Sequence, residues 1–355
     1  MGASFTRHPF FISQRKNIMV YPIWKEIPIE LTNALQREYV VSYVKDGALE
    51  TIYSGRAYRL PDQSKLVISI NDICADWLRN SFPSLVNGFD RQDMPVEFVV
   101  QEIDSFGAYK EVARIRFIND WSYDTTHNAI TDGLNAPINH RFDARQLLFW
   151  TAIDIEEVNA EVTLTNGTSF KVIIPVKITP DFNDDFNVDF AKSLGSAGSG
   201  TAVFSPSQWG DVQSISINGV RYDITNTCAR YALYYLNAFG GWDSLLIEGT
   251  SIEKDALTRY TMNKKGAYDR QTRNYVNEIQ KKLTLHTSWL SDEESLRMHH
   301  LLNSTDVYIH DLERNEILPV IMDASETPYK TFKNQGGKLV NYTIDVTIAQ
   351  TRVRR

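Results

Sequence analysis

Three two-residue turn signals limit what this 355-residue chain can fold into. Asp46-Gly47, Asn166-Gly167 and Asn218-Gly219 each separate two runs in which apolar and polar residues alternate. Asn-Gly and Asp-Gly supply the positive backbone angles of a tight hairpin turn, and alternation places every second side chain on one face of a strand. The sequence therefore predicts antiparallel β-hairpins at these three places.

The length and the hairpins together predict a mainly β protein with more than one core. A single hydrophobic core stops growing at roughly 250–300 residues, and strands of this length must bury one face against another layer. We expect two or three small antiparallel β-sandwich-like domains with a few short helices. The predicted organisation is an N-terminal arm at 1–17, β-sandwich-like domains at 18–90 and 91–180, a linker or long loop at 181–207, and a C-terminal α+β domain at 208–355.

Three further segments predict their secondary structure less clearly than the hairpins do. The run DARQLLFWTA (Asp143–Ala152) fits a buried strand or a helical turn, and CARYALYYLNAFGGW (Cys228–Trp242) fits a strand or a short helix ending at its glycines. The run NDICADWLRN (Asn71–Asn80) predicts a short helical turn capped by Asn or Asp.

The charge balance, the cysteine content and the hydropathy of the chain argue against nucleic-acid binding, a disulfide framework and a membrane span. There are 37 basic and 44 acidic residues, a formal net charge of −7, so no specific affinity for nucleic acid is expected. Cys74 and Cys228 are the only cysteines, and they are predicted to be buried thiols rather than a disulfide framework. No stretch reaches the ~20 apolar residues of a membrane span, so we expect a soluble product without a membrane span, made in the cytoplasm of its host.

The segment His286–Asp311 contains four of the seven histidines, which raises the question of a metal site. Ser291 and Glu294 form the pattern of a helix capping box, so the acidic residues there have a structural role. His299 and His300 are adjacent and point about 100° apart on a helix, whereas ligands that share a helix face are four residues apart. His286 and His310 lie on the flanking segments. The pattern favours ordinary surface or core histidines.

The segment DFNDDFNVD also resembles a ligand pattern, that of a calcium-binding loop. Asp181, Asn183, Asp185, Asn187 and Asp189 recur at every second residue. However, Phe186 occupies the position of the loop's turn glycine, and Lys192 occupies that of its bidentate glutamate. A solvated acidic linker is therefore the better prediction, and we predict no metal or other cofactor.

Motifs for catalysis are missing from the sequence. It contains no GxSxG, GxxxxGK[ST], HExxH, CxxC or GxGxxG pattern. Pairs such as Glu156-Glu157 could flank a sugar, but any two of the acidic residues could be nominated in the same way. We predict a protein that is not an enzyme, with no catalytic, cofactor-binding or metal-binding residue.

Aromatic residues are frequent, at 12% of the chain, and several lie beside predicted turns. These are Trp24, Trp121, Tyr123, Trp209 and Trp242. Most should lie in cores or between domains, and exposed ones would suit a carbohydrate platform or a subunit interface.

The C-terminal 130 or so residues resemble tail and tail-tip structural proteins of bacteriophages and prophages from Bacteroides-type bacteria. The likeness lies in a Tyr-Leu-Asn…Gly-Gly-Trp strand, a helix that begins Asp-Glu-Glu, a Pro-Val-Ile strand and a closing strand. The residues that carry it are Tyr235, Leu236, Asn237, Gly240, Gly241, Trp242, Asp292, Glu293, Glu294, Pro319 and Val320.

The resemblance implies a virion structural protein, an assembly component of a phage tail, connector or baseplate. Its expected partners are further copies of itself in a ring-like homo-oligomer and other tail or connector proteins. Interfaces through hairpin edges and aromatic patches should each bury more than ~1,000 Å². The alternative hypothesis is a carbohydrate- or receptor-binding β-sandwich module of a phage or bacterial surface.

Overall fold

A computed structural model describes residues 20–32, 34–45, 48–61, 64–78, 81–90, 95–104, 106–122, 134–176, 198–263, 272–323 and 340–354. The fold is mainly β, as predicted, with several separate sheets and two α-helices among these residues. The chain divides into two compact units, one of Met1–Leu78 with Pro95–Ile118 and one of Arg79–Met94 with Asn119–Arg355. Strands and helices are numbered along the chain.

The first unit contains a five-stranded sheet and a two-stranded sheet. The order of the larger sheet is β1 (Val20–Pro22), β8 (Tyr109–Ile118), β7 (Val96–Ile103), β3 (Gln36–Lys45) and β4 (Ala48–Tyr58). The smaller sheet pairs β2 (Ile29–Glu30) with β5 (Val67–Ile68), and helix α1 (Asn71–Ala75) follows. Only β1 and β8 are parallel within the larger sheet. One core fills the unit because the inward residues of β3, β7 and β8 meet those around α1.

The second unit contains three sheets. The order of the three-stranded sheet is β10 (Leu148–Ile155), β13 (Gly198–Phe204) and β6 (Gly88–Asp90). The order of the five-stranded sheet is β12 (Ser169–Pro175), β11 (Glu157–Leu164), β14 (Val212–Ile217), β15 (Val220–Thr225) and β9 (Arg141–Asp143). The order of the seven-stranded sheet is β17 (Trp242–Ile247), β16 (Tyr231–Leu236), β20 (Val307–Asp311), β21 (Glu316–Met322), β22 (Thr343–Arg354), β19 (Thr272–His286) and β18 (Ser251–Asn263).

These three sheets are stacked in layers, with a hydrophobic core between each pair of neighbouring layers. Phe204 and other residues on one face of β10 and β13 share a core with the five-stranded sheet. Phe149 and Val203, from the other face, share a second core with β16 and β17 of the seven-stranded sheet. The far side of β16 and β17 packs with Met298 and Leu301 of helix α2 (Asp292–Leu302). The three-stranded sheet is therefore a middle layer, and β16 is buried on both faces.

The hairpin predictions are confirmed. Lys45 pairs with Ala48, so β3 and β4 form the first hairpin, and β11 pairs with β12 and β14 with β15 across the two Asn-Gly turns. Asn218 and Gly219 both have positive φ, at 46° and 87°, as a two-residue hairpin turn requires. The two undecided runs contain strands β10 and β16.

Several sequence-based expectations differ from the structure. The predicted segments 18–90 and 91–180 both contribute to the first unit's sheet, since β7 pairs with β3. Part of the predicted linker 181–207 is the buried strand β13. The prediction of an Asn or Asp cap on α1 is wrong: Ile70 precedes the helix, and the Asn71 amide donates to the carbonyls of Ile23 and Lys25 instead.

The structure also tests the predictions that both cysteines are buried and that the chain has no membrane span. Cys74 is a buried free thiol, as predicted, but the same prediction for Cys228 is wrong because that thiol is exposed. Within the described residues, no helix is both long and apolar enough to cross a membrane.

Candidate assembly surface

The two edges of the seven-stranded sheet differ sharply in exposure. All six residues of edge strand β17 are buried. In edge strand β18, every residue from Ile252 to Thr261 is exposed except the half-buried Ala256. An edge strand presents unpaired N–H and C=O groups that can pair with another chain. Among the described residues of this sheet, β18 is therefore the edge that can accept a further strand.

Strand β18 is unusual because both of its faces are exposed. A strand that covers a core on one face alternates between buried and exposed residues, and β18 shows no such alternation. It pairs along its length with β19, from Ser251 opposite Leu285 to Asn263 opposite Thr272. We call this pair of strands the β18–β19 arm. Strand β19 also pairs with β22, from His286 opposite Thr343 to Asn277 opposite Arg354, so β18 is the exposed outer strand of the sheet.

The arm carries exposed apolar side chains among charged ones. Ile252, Leu257 and Tyr260 are 47%, 51% and 49% exposed. Leu257 is directly opposite Ile279 on β19. Ile279 in turn lies on the same face of β19 as Leu283 and Leu285, two residues of the core. The apolar face of the sheet therefore continues past the core and into the arm.

The root of the arm is held by a polar network around Arg230. The Arg230 guanidinium is 2.8 Å from Glu253 Oε1 and 3.4 Å from Asp311 Oδ2. The Tyr231 hydroxyl donates to Glu253 Oε1 at 2.6 Å. This hydrogen bond and the charge of Arg230 lower the pKa of Glu253. The first residues of β18 are thus tied by a charged carboxylate to β16 and β20.

A close backbone approach also fixes where the arm begins. The Gly249 amide donates to the His286 carbonyl at 3.1 Å. A Cβ atom on Gly249 would be 2.4 Å from that carbonyl oxygen. Only glycine fits between β17 and β18 at this position without a shift of the backbone.

Two other edge strands expose apolar residues. Strand β12, at one edge of the five-stranded sheet, exposes Phe170 and Ile173. Strand β4, at one edge of the first unit's sheet, exposes Leu49 and Tyr58. Both edges could support contacts between subunits, but each is shorter than β18, which has 13 residues.

The four histidines in the His286–Asp311 segment occupy separate surroundings. His310 bonds the Tyr234 hydroxyl at 2.6 Å and Asn315 Oδ1 at 3.1 Å, and His286 lies 3.0 Å from the Thr343 hydroxyl. His300 Nδ1 accepts from the Ala238 amide at 3.2 Å, and burial lowers the pKa of this histidine to about 4. His299 lies on α2, and burial lowers its pKa as well.

Potential metal ligands do not cluster in the part of the chain that the structure describes: no group of three or more His, Cys, Asp or Glu side chains could hold an ion there. The calcium-like pattern Asp181–Asp189 lies outside the described residues. The predicted capping box is confirmed. Ser291 Oγ accepts from the Glu294 amide, and Glu294 Oε2 accepts from the Ser291 amide.

The aromatic residues beside turns have mixed positions. Trp242 is fully buried, and Trp209 packs against Phe170 and Phe204. Trp24 is half-buried and Trp121 is 45% exposed. Tyr123 lies outside the described residues. Two of the four described residues, Trp209 and Trp242, therefore pack in a core, and neither Trp24 nor Trp121 lies on the arm.

No local sequence pattern marks the buried carboxylate of Asp243. It is 4% exposed and accepts from the Asn237 amide at 2.6 Å and from the Ala136 amide at 3.3 Å. Burial raises its pKa to about 7. Asn237 also accepts from the amides of Phe239 and Gly241, so the pair ties the turn between β16 and β17. Its surroundings are those of a structural tie within the core.

The arm itself carries no clear strand pattern in the sequence. The run SIEKDALTRYTMN mixes charged, β-branched and aromatic residues without a clean alternation. The signal available was its β-branched and aromatic content, with Ile252, Thr258, Tyr260 and Thr261. Comparisons with protein-family models, curated proteins and solved structures gave no match.

Proposed function

We propose that this protein is a non-enzymatic structural subunit of a virion, an assembly component of a bacteriophage tail, connector or baseplate. The observation that carries the proposal is β18, a 13-residue edge strand exposed on both faces, in a sheet whose other edge strand is buried. Native proteins usually have short, covered or charged edge strands, because an exposed edge strand can pair with another chain. Strand β18 does carry four charged residues, but it is long and exposes Ile252, Leu257 and Tyr260 among them, so it suits pairing with an edge of complementary charge.

The resemblance to phage tail proteins supports the same function. The residues that carry it lie in β16, β17, the turn between them, the first turn of α2, and β21. These elements belong to the framework at the other side of the sheet, and none of the residues lies on the arm. We propose that the framework is the shared part of such proteins and that the arm makes the contact between subunits.

The size of the arm is sufficient for a durable contact. At about 3.3 Å per residue, β18 spans roughly 43 Å. Added to the exposed edges of the other sheets, this length allows interfaces above the ~1,200 Å² that stable assemblies bury. Backbone pairing along the arm would supply orientation, and Ile252, Leu257 and Tyr260 would supply apolar burial.

The first experiment tests whether the protein is present in purified phage particles. A host that carries this gene is induced for phage production, the particles are purified, and their proteins are quantified by mass spectrometry. The proposal expects the chain in the particles at several copies each. Its absence from particles, with the chain found only in the soluble extract, would overturn the proposal.

Native mass in solution tests the role of the arm. The full chain is measured by light scattering over a range of concentrations, alone and with the other tail proteins of the same phage. Leu257→Lys on the arm should reduce assembly, whereas Ile321→Lys, at a similarly exposed site on β21, should leave it intact. A strict monomer that binds a glycan array would favour the carbohydrate- or receptor-binding module instead. Turnover of a polysaccharide would establish an enzyme.

A further inference from the structure

We infer that β18 pairs antiparallel with β18 of a second copy of the chain, about a twofold axis at Leu257. The inference rests on the proposed role of the arm in assembly and names its partner. The other edge of the same sheet, β17, is buried, so the sheet cannot be extended by joining β18 of one copy to β17 of the next. A sheet that continues from one copy into a second therefore joins β18 to β18, an isologous contact in which both copies use the same surface and which is complete with two copies.

Charge complementarity favours self-pairing. Asp255, Leu257 and Arg259 lie on one face of β18, two residues apart. If Leu257 is opposite Leu257 of the second copy, Asp255 of each copy is opposite Arg259 of the other. Two symmetric pairs of opposite charge then flank one apolar contact. Asp255 and Arg259 are both exposed, and although Asp255 is opposite Lys281 on β19, the charged groups of both residues can reach a second copy at the open edge.

The other face of β18 is compatible with the same register. Lys254 would be opposite Tyr260 of the second copy, where the ammonium can lie over the ring. Ala256 would be opposite Thr258. No like charges meet across the interface in this register, and like charges directly opposite each other destabilise a strand pair.

Neighbouring registers are poorer. An axis at Asp255 opposes that carboxylate to itself, and an axis at Thr258 opposes Leu257 to Arg259. An axis at Ala256 opposes Leu257 to Asp255, and it pairs Arg259 with Glu253. Glu253 already binds Arg230 and Tyr231 at the root of the arm. The axis at Leu257 is therefore the register that the side chains favour.

Cysteine cross-linking measures this register directly. Cys228 is exposed, so the variants are made in a Cys228→Ser background. Directly opposite residues have Cα atoms about 4.5–5.5 Å apart, within disulfide range. Leu257→Cys should therefore form a disulfide-linked dimer under mild oxidation. Ala256→Cys is the matched control, because its diagonal separation of about 7–8 Å is too long for a disulfide.

A charge swap tests the same contact without cysteine chemistry. Asp255→Arg or Arg259→Asp alone places like charges opposite each other twice, and we expect roughly tenfold weaker self-association. The double variant restores two pairs of opposite charge and should recover self-association. Circular dichroism of each variant checks that the fold is kept. We expect it to be kept because both substituted residues are exposed on β18.

Each outcome decides the inference. Roughly tenfold more dimer from Leu257→Cys than from Ala256→Cys, with recovery in the double charge swap, supports it. Equal or reversed cross-linking, additive losses in the double variant, or a monomer at every concentration overturns it. An oligomer with none of these effects leaves the proposed function intact and moves the contact elsewhere. A cross-linked dimer from a chain that is absent from particles keeps the pairing and refutes the proposed function.

Discussion

The buried Asp243 should make the stability of the second unit depend on pH in a direction opposite to that of most carboxylates. Asp243 lies in the turn between β16 and β17, with the Asn237 and Ala136 amides as donors. Burial raises its pKa to about 7, whereas an unfolded aspartate has a pKa of about 3.9. The folded protein therefore holds a proton that the unfolded chain releases between these two values.

The sign and the size follow from linkage. Between pH 4 and 7 the folded state binds more protons than the unfolded state, so the free energy of unfolding falls as the pH rises. The contribution is fully present below about pH 4 and is lost as the pH passes through 7. A pKa difference of about 3 corresponds to about 4 kcal/mol at ~1.4 kcal/mol per pKa unit.

The experiment compares the wild type with Asp243→Asn, which removes the titration and keeps the shape. Urea unfolding is followed by tryptophan fluorescence from pH 4 to 8. His300 acts in the opposite direction, because its lowered pKa of about 4 destabilises the folded state as the pH falls below about 6.5. Its effect is common to both proteins, so the difference between them isolates Asp243. Parallel stability curves over the whole pH range would refute this account.

Further stability predictions use the same unfolding assay. Ser291→Ala removes the hydroxyl that caps α2 and should cost about 1 kcal/mol, whereas Ser291→Thr should retain most of the stability. Gly241→Ala should prevent the turn from forming, because the new Cβ would be 1.7 Å from the Leu134 carbonyl oxygen; a wild-type unfolding midpoint would contradict this. Leu245→Ala, at a fully buried position, should cost about 2–5 kcal/mol, whereas Leu296→Ala, 67% exposed, should change stability by less than about 0.5 kcal/mol. Equal losses at the two leucines would contradict the burial argument.

Local features of this protein were readable from the sequence because local rules govern them. The Asn218-Gly219 turn requires positive φ at two successive residues, which few residue pairs other than Asn-Gly tolerate. The Ser291–Glu294 box satisfies free amides within one helical turn. Ile344 and Val346 of the closing strand β22, and Tyr342 just before it, are buried, whereas their neighbours Asn341, Thr343 and Asp345 are exposed, an alternation that is visible in the sequence. Each of these features depends on residues only a few positions apart.

Features that depend on distant residues required the tertiary structure. Strands β10 and β16 show no alternation because other layers cover both of their faces, so their sequences could not separate strand from helix. The raised pKa of Asp243 comes from its burial in the core between the sheets.

The arm is the clearest case. Its sequence determines that Ser251–Asn263 can form a strand, but only the stacking of the sheets buries β17 and leaves β18 open. Exposure of an edge depends on what the rest of the chain covers, and no local pattern records that.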